Sequence, residues 1–282
     1  MNKKVDPIMI NDGINTSGKK NKLTLRFPSN IDFYKKEVAL GYLGLYYSWQ
    51  NVSGPTTANG LTGWNNNSFS YTWVNGTTYP VNLPQGFYTI SDLVGYMQKN
   101  VMVPNGHFML DANGRHVYFI DFVANSTYYA VTLTCKPIAV PVGGSNPNAL
   151  QLGKVPQLNI PNFNEFGKLL GFNSGSYPTE ANTTVAFYIN SQNVPKISPV
   201  TTVYVHCNLS ESNSTVFTHA ISQFSPKVGY NQYIDVSPNN LVYFNVSDGS
   251  YREISVYFTD QNGQPIDIID PDINVTLLIR DK

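Results

Sequence analysis

Charge is scarce in this chain. Only 13% of its 282 residues are Asp, Glu, Lys or Arg, and 18 basic residues balance 18 acidic ones. That balance argues against a globally basic nucleic-acid binder. Cysteine is rarer still: Cys135 and Cys207 are the only two. Two thiols in a chain this long make no disulfide framework, and both read as free thiols buried in strands. No run of 18 apolar residues occurs, so no segment reads as a membrane span. Lys3 and Lys4 are not followed by an apolar run, so the N-terminus does not read as a secretory signal. The four histidines, His107, His116, His206 and His219, form no H-x-H or H-E-x-x-H arrangement. G-x-S-x-G, P-loop and dinucleotide fingerprints are missing as well. The residues therefore nominate no catalytic, metal or cofactor-binding set.

What the chain does have is aromatic and turn-forming. Aromatics make up 13%, with 19 Tyr and 15 Phe. β-Branched and aromatic residues suit pleated surfaces, while Asn and Gly suit turns. The charge is also uneven. Lys3, Lys4, Lys19, Lys20, Lys22, Arg26, Lys35 and Lys36 gather near the N-terminus, against Asp6, Asp12 and Asp32. Residues 1–21 read as a basic flexible arm, either merely solvated or able to meet an acidic partner.

Ordered structure is expected from Leu23, Leu25 and Phe27, which alternate, with Pro28 ending the strand. Residues 37–49 are apolar on both faces, the mark of a central strand. Residues 50–67 are rich in turn formers. Phe69, Tyr71 and Trp73 alternate and lead through Asn75-Gly76 into a hairpin partner at 77–83. A helix is expected from Ile90 to about Val101, where Ile90, Leu93, Val94, Met97 and Val101 fall on one face. Thr89 and Asp92 have capping-box spacing. Strands follow at 108–111, 117–123 and 128–135. Prolines break up 136–162. A short helix over 165–170 has Asn164 as its cap and Gly171 as its stop. Further strands are expected at 183–189, 201–209, 215–221 and 241–246.

Two local groupings invite a chemical reading. His206 and Cys207 are adjacent, but neighbours on a strand point to opposite faces and do not meet. Asp260, Asp270 and Asp272 have calcium-like spacing but lack the rest of an EF-hand loop, so turn formation explains them better.

Many short strands with one or two helices predict an all-β fold: a single jelly-roll β-sandwich of two antiparallel sheets with loop insertions. The domain would span 22–282, with insertions within 50–83 and 136–200.

Six strings in order carry a family resemblance. They are Leu25-Arg26-Phe27-Pro28-Ser29-Asn30, Gly44-Leu45-Tyr46-Tyr47-Ser48-Trp49-Gln50-Asn51 and the stretch from Leu83 to Leu93. Lys168-Leu169-Leu170-Gly171-Phe172, Val205-His206-Cys207-Asn208-Leu209 and the stretch from Val256 to Gly263 complete them. From about residue 22 to 280 the chain resembles the penton (minor capsid) proteins of virophages, of Polinton or Maverick elements and of adintoviruses. The resemblance implies a single jelly roll. It implies a homopentamer at the vertex of an icosahedral virion, assembled inside the host cell, beside double-jelly-roll major capsid proteins. It implies a structural role with no catalytic residues to carry over. The basic arm would then face inward, toward major capsid protein or packaged DNA. The alternative is a jelly-roll carbohydrate- or receptor-binding module. A cupin-like enzyme is the third reading, and the lack of clustered histidines argues against it.

The closing stretch tests the fold. Ile254, Val256 and Phe258 form one alternating run; Ile273, Val275, Leu277 and Ile279 form another. Asn262-Gly263 between them suggests a hairpin. In a jelly roll the two runs belong instead to opposite sheets, facing each other across the core.

Overall fold

The computed structural model describes residues 4–11, 21–181, 183–211 and 218–282. It begins with β1 (Val5–Asn11), β2 (Lys22–Phe33) and β3 (Lys36–Tyr46). A long middle section follows: β4 (Ser68–Thr72), β5 (Thr78–Asn82), helix α1 (Ile90–Tyr96), β6 (Met109–Leu110), β7 (His116–Val117), β8 (Ile120–Asn125) and β9 (Ala130–Cys135). It continues with β10 (Gln157–Ile160), helix α2 (Phe166–Leu170), β11 (Gly175–Tyr177) and β12 (Phe187–Asn190). The last section holds β13 (Val203–Cys207), β14 (Ala220–Phe224), β15 (Tyr233–Val236), β16 (Phe244–Asn245), β17 (Gly249–Thr259) and β18 (Asn274–Asp281).

The chain divides into two compact units. One takes Met1–Gln50, Ala58–Thr62 and Val200–Lys282; the other takes Asn51–Thr57 and Gly63–Pro199. The first unit consists of two antiparallel sheets. One runs β1-β18-β3-β15, with β16 also on β3; the other runs β14-β13-β17-β2. Every connection between successive strands of this unit changes sheet, except β13 to β14 and the step from β15 to β16, which share β3. That is the order of a jelly roll. Its core is built by period-two alternation. Ile254, Val256 and Phe258 are buried on β17, and Val275, Leu277 and Ile279 are buried on β18. Because β17 and β18 lie in different sheets, the two runs close the sandwich from opposite sides. Asp260 to Gln264 still forms a tight local turn, with Gly263 at φ +76 and Thr259 bridged to Pro265.

Two expectations are corrected here. Within the stretch read as an arm, Val5–Asn11 is strand β1, paired along β18 from Val5↔Arg280 to Asn11↔Asn274. Only Ile10 of this strand is buried, and Pro7 fits because an edge strand has one side without ladder partners. Lys3, Lys19 and Lys20 lie outside the described residues. Pro28 does not end β2 either. The strand passes through it because the register against β17 slips between Tyr251 and Glu253, leaving residues 27–30 unpaired.

The second unit has its own core and two main sheets, β11-β10-β4-β5 and β12-β9-β8, with β6-β7 as a separate hairpin. Sequence expected to insert in two pieces, around a 22–282 jelly roll, is therefore one block lying between β3 and β13. β4 and β5 form the expected hairpin, with Gly76 at φ +85 in its turn. Thr89 caps α1: its side chain accepts from the Asp92 N–H, and the Asp92 carboxylate accepts from the Thr89 N–H. Past Tyr96 the helix loosens into π-type turns over Met97–Met102. On α2, Asn164 Oδ1 accepts from the Phe166 N–H at 3.0 Å, and Gly171 ends the helix at φ +77.

Candidate functional site

The groups that invited a chemical reading are held in internal hydrogen bonds. Asp260 accepts from the backbone N–H of Asn262 and Gln264, both at 2.8 Å. Asp270 accepts from the Tyr46 N–H and the Asp272 N–H. Asp267, also buried, accepts from Gln50 and Asn59 side-chain amides at 3.1 and 2.7 Å. These carboxylates tie the β17–β18 crossing together. Among the described residues, no cluster of three or more His, Cys, Asp or Glu is arranged to hold a metal.

His206 stacks on Tyr257, its cross-strand partner, at 4.4 Å and 6°. Its Nδ1 lies 2.9 Å from the Thr218 carbonyl, so Nδ1 carries the proton; Nε2 then accepts from the Thr259 hydroxyl at 2.8 Å. Burial pushes its pKa below the usual value. His107 is the equivalent in the second unit. It stacks on Trp73 at 4.0 Å and 9°, and its Nδ1 is 2.8 Å from the Tyr71 hydroxyl. Burial pushes its pKa down to about 4. Both are neutral at pH 7. Cys207 pairs with Val256 rather than meeting the His206 ring, and burial pushes both thiols, Cys135 and Cys207, up to about 12. Thiols of that pKa are inert as nucleophiles.

What the jelly-roll unit does offer is surface. Its strand order leaves β1 and β2 as the edges on one side, and β14 with β15 and β16 on the other. The first side exposes Val5, Met9, Ile31 and Tyr34, with Met9 74% accessible. The second side carries an apolar pocket of ≈ 360 Å³ lined by Leu40, Tyr204, Ile221, Pro238, Val242 and Phe244. A tyrosine patch lies on β3 and β15. The Tyr42 and Tyr233 hydroxyls are 3.0 Å apart, and the Tyr46 ring meets the Tyr233 ring edge-on at 5.2 Å. Gly44 makes room for this patch, since a Cβ there would lie 1.9 Å from the Tyr233 oxygen. The hydrogen bond to Tyr42, followed by burial, pushes the Tyr233 pKa up to about 12. Ion pairs on this unit are few. Arg280 bonds Glu37 at 2.8 Å and lies over the Tyr243 ring at 3.5 Å.

The sequence reading missed this surface. Strand β15 was not expected, and nothing in the spacing of Tyr42, Tyr46 and Tyr233 shows that they meet. The one available signal was Gly44 inside an otherwise bulky strand, which marks a close approach.

The first unit is thus a complete eight-stranded jelly roll with two dissimilar, charge-poor sides, interrupted by a second folded unit. Neither a protein-family model nor a curated protein sequence matches the chain. Solved structures do. The mavirus penton protein is similar over 98% of this chain and 98% of its own, at 10% identity and a TM-score of 0.45. A chain of the Sputnik virophage cryo-EM structure is similar over 99% of this chain and 98% of its own, at 15% identity and a TM-score of 0.45.

Proposed function

We propose that this chain is a penton protein, the non-enzymatic minor capsid subunit that closes the five-fold vertex of an icosahedral virion. The observation that carries the reading is the jelly roll with unlike sides. A closed ring needs a heterologous interface, in which one side of each subunit meets the other side of the next. The exposed apolar side chains of the β1–β2 side and the apolar pocket of the β14–β16 side have the character such a contact requires. Both sides are poor in charge, so burying them strands few ions. The six ordered sequence strings point to the same family. The expected neighbours are further copies of this chain and a double-jelly-roll major capsid protein, and packaged DNA is a candidate partner of the basic residues near the N-terminus.

The test is co-expression with the major capsid protein followed by electron microscopy of the particles. Density for five copies at each vertex supports the proposal. A chain that stays monomeric and never enters shells overturns it. The Val242→Asp variant sharpens the test, because a charge at the pocket mouth should abolish pentamers while leaving the monomer folded.

One feature favours a second reading, a carbohydrate- or receptor-binding head. Tyr128 and Tyr129 stand 68% and 77% exposed at the tip of the β8–β9 hairpin, and Tyr129 is held at φ +49. A strained, solvent-facing aromatic is unusual unless something uses it. A glycan array separates the readings: signal that disappears in Tyr128→Ala and Tyr129→Ala supports the head.

A further inference from the structure

Strand β8 has one neighbour, β9, and its other edge is open among the described residues. The alternation of an antiparallel ladder says which groups that edge presents. The Lys136 N–H bonds the Phe119 carbonyl, which makes residues 119, 121, 123 and 125 the ones that exchange hydrogen bonds with β9. Val131, opposite Ala124, accordingly directs its N–H and carbonyl to Ser191 on the other side. The N–H and C=O of Ile120, Phe122 and Ala124 therefore point out of the sheet. Gln98 caps the first of these, its side-chain amide donating to the Ile120 carbonyl at 3.1 Å. Phe122 and Ala124 have no such cap.

These groups border a groove of ≈ 1010 Å³ whose opposite wall is α1 and the π turn after it. Ser91, Gly95 and Gln98 lie along one stripe of that helix by their i, i+4, i+7 spacing. Gly95 costs about 1 kcal/mol of helix stability relative to Ala. Local packing does not require it, because a Cβ there would meet nothing within 4 Å. What the missing side chain leaves is room beside the open strand edge. Phe87, Tyr88 and Ile197 supply apolar lining, and Asp92 and Asp121 outnumber Lys99 among the groove's charges.

We propose that this groove takes an extended peptide segment of a partner protein, basic and β-prone, which adds to β8 as a fourth strand. Its backbone pairs with the N–H and C=O of Phe122 and Ala124, while Gln98 stops it short of Ile120. Its alternate side chains meet the apolar lining, and its basic residues meet Asp92 and Asp121. Backbone pairing supplies affinity and the lining supplies selectivity, as in other strand additions. The inference rests on the second unit alone and does not depend on the capsid reading.

The test starts from a displayed random heptapeptide library selected on the full chain, with counter-selection on Gly95→Phe. That substitution fills the groove at a position where nothing is displaced, so its melting temperature should not fall. Enriched peptides should be rich in Lys, Arg and β-branched residues. Anisotropy with a labelled winner should show binding at least tenfold weaker to Gly95→Phe and to Ala124→Pro, which deletes one outward N–H. Amide hydrogen exchange at Phe122 and Ala124 should slow at least tenfold when the peptide is bound. If Ala124→Pro lowers the melting temperature, Gly95→Phe and the exchange data decide. The proposal is overturned by a library that enriches nothing over Gly95→Phe. It is equally overturned by acidic winners, or by a bound peptide that leaves the Phe122 and Ala124 amides exchanging as in the free chain.

Discussion

In the jelly-roll unit, the strands that pair lie far apart in the sequence: β1 with β18, β2 with β17, β3 with β18. In the inserted unit, β4 pairs with β5, β6 with β7 and β8 with β9, and the widest ladder joins β4 to β10. The first unit uses long strands and an aliphatic core, with Leu23, Leu43, Leu45, Val256 and Leu277 all buried. The second uses short strands around rings, with Phe69 stacked on Phe166 and Trp73 on His107. Local pairing closes small loops at low entropic cost, whereas the jelly roll needs both ends of the chain before any of its sheets is complete. The contrast explains how a block of this size can interrupt a sandwich: it folds on contacts of its own.

The largest effects should come from the two cores. Phe258→Ala and Phe166→Ala each remove a fully buried ring and should cost about 3–5 kcal/mol. In scanning calorimetry Phe258→Ala should lower the melting of the jelly-roll unit, and Phe166→Ala that of the inserted unit. A single transition that shifts equally in both variants would dissolve the contrast.

Acid should separate the units next. The His107 pKa falls from 6.5 to about 4 on folding. The unfolded chain therefore takes up a proton that the folded chain refuses, and stability is complete above pH 6.5 and drains away as pH falls toward 4. The shift corresponds to a loss on the order of 3 kcal/mol. His206 moves in the same direction, but its bond to the Thr218 carbonyl opposes the shift. Denaturant melts from pH 7 to pH 4 should show the inserted unit weakening more, and His107→Phe should flatten its profile.

Gly171→Ala should be smaller. It places a Cβ 2.1 Å from the Asn193 carbonyl oxygen at a left-handed position, at a cost of about 2 kcal/mol. Thr89→Ala removes half of the α1 capping box and should cost about 1 kcal/mol, visible as faster amide exchange in the first turn of that helix.

Much of this architecture was legible because it lies in side-chain rhythm. The alternation of Ile254, Val256 and Phe258, the Thr89–Asp92 cap and the Gly171 stop are all local statements, and each stands where the sequence placed it. Strand β1 was hidden because Ile10 is its one buried residue, so no alternating pattern survives. The division into two units was hidden for another reason. Alternation shows that a strand has a buried face but not which sheet receives it, so β4 and β13 look alike in sequence. The tyrosine patch depends on β3 and β15 meeting across nearly 200 residues. The β8 groove is made of backbone edges, which leave no mark on residue type except Gly95.

Strand β18 lies between β1 and β3, the first and third strands of the chain. During synthesis, β1 and β3 emerge early and have no common neighbour until the final residues leave the ribosome. A message cut short before Asn274 yields a chain with an intact inserted unit and a sheet with a gap at its centre. Such a chain cannot offer the paired sides that an oligomer would recognise. The last strand thereby acts as quality control on translation, holding back incomplete copies until the whole message has been read.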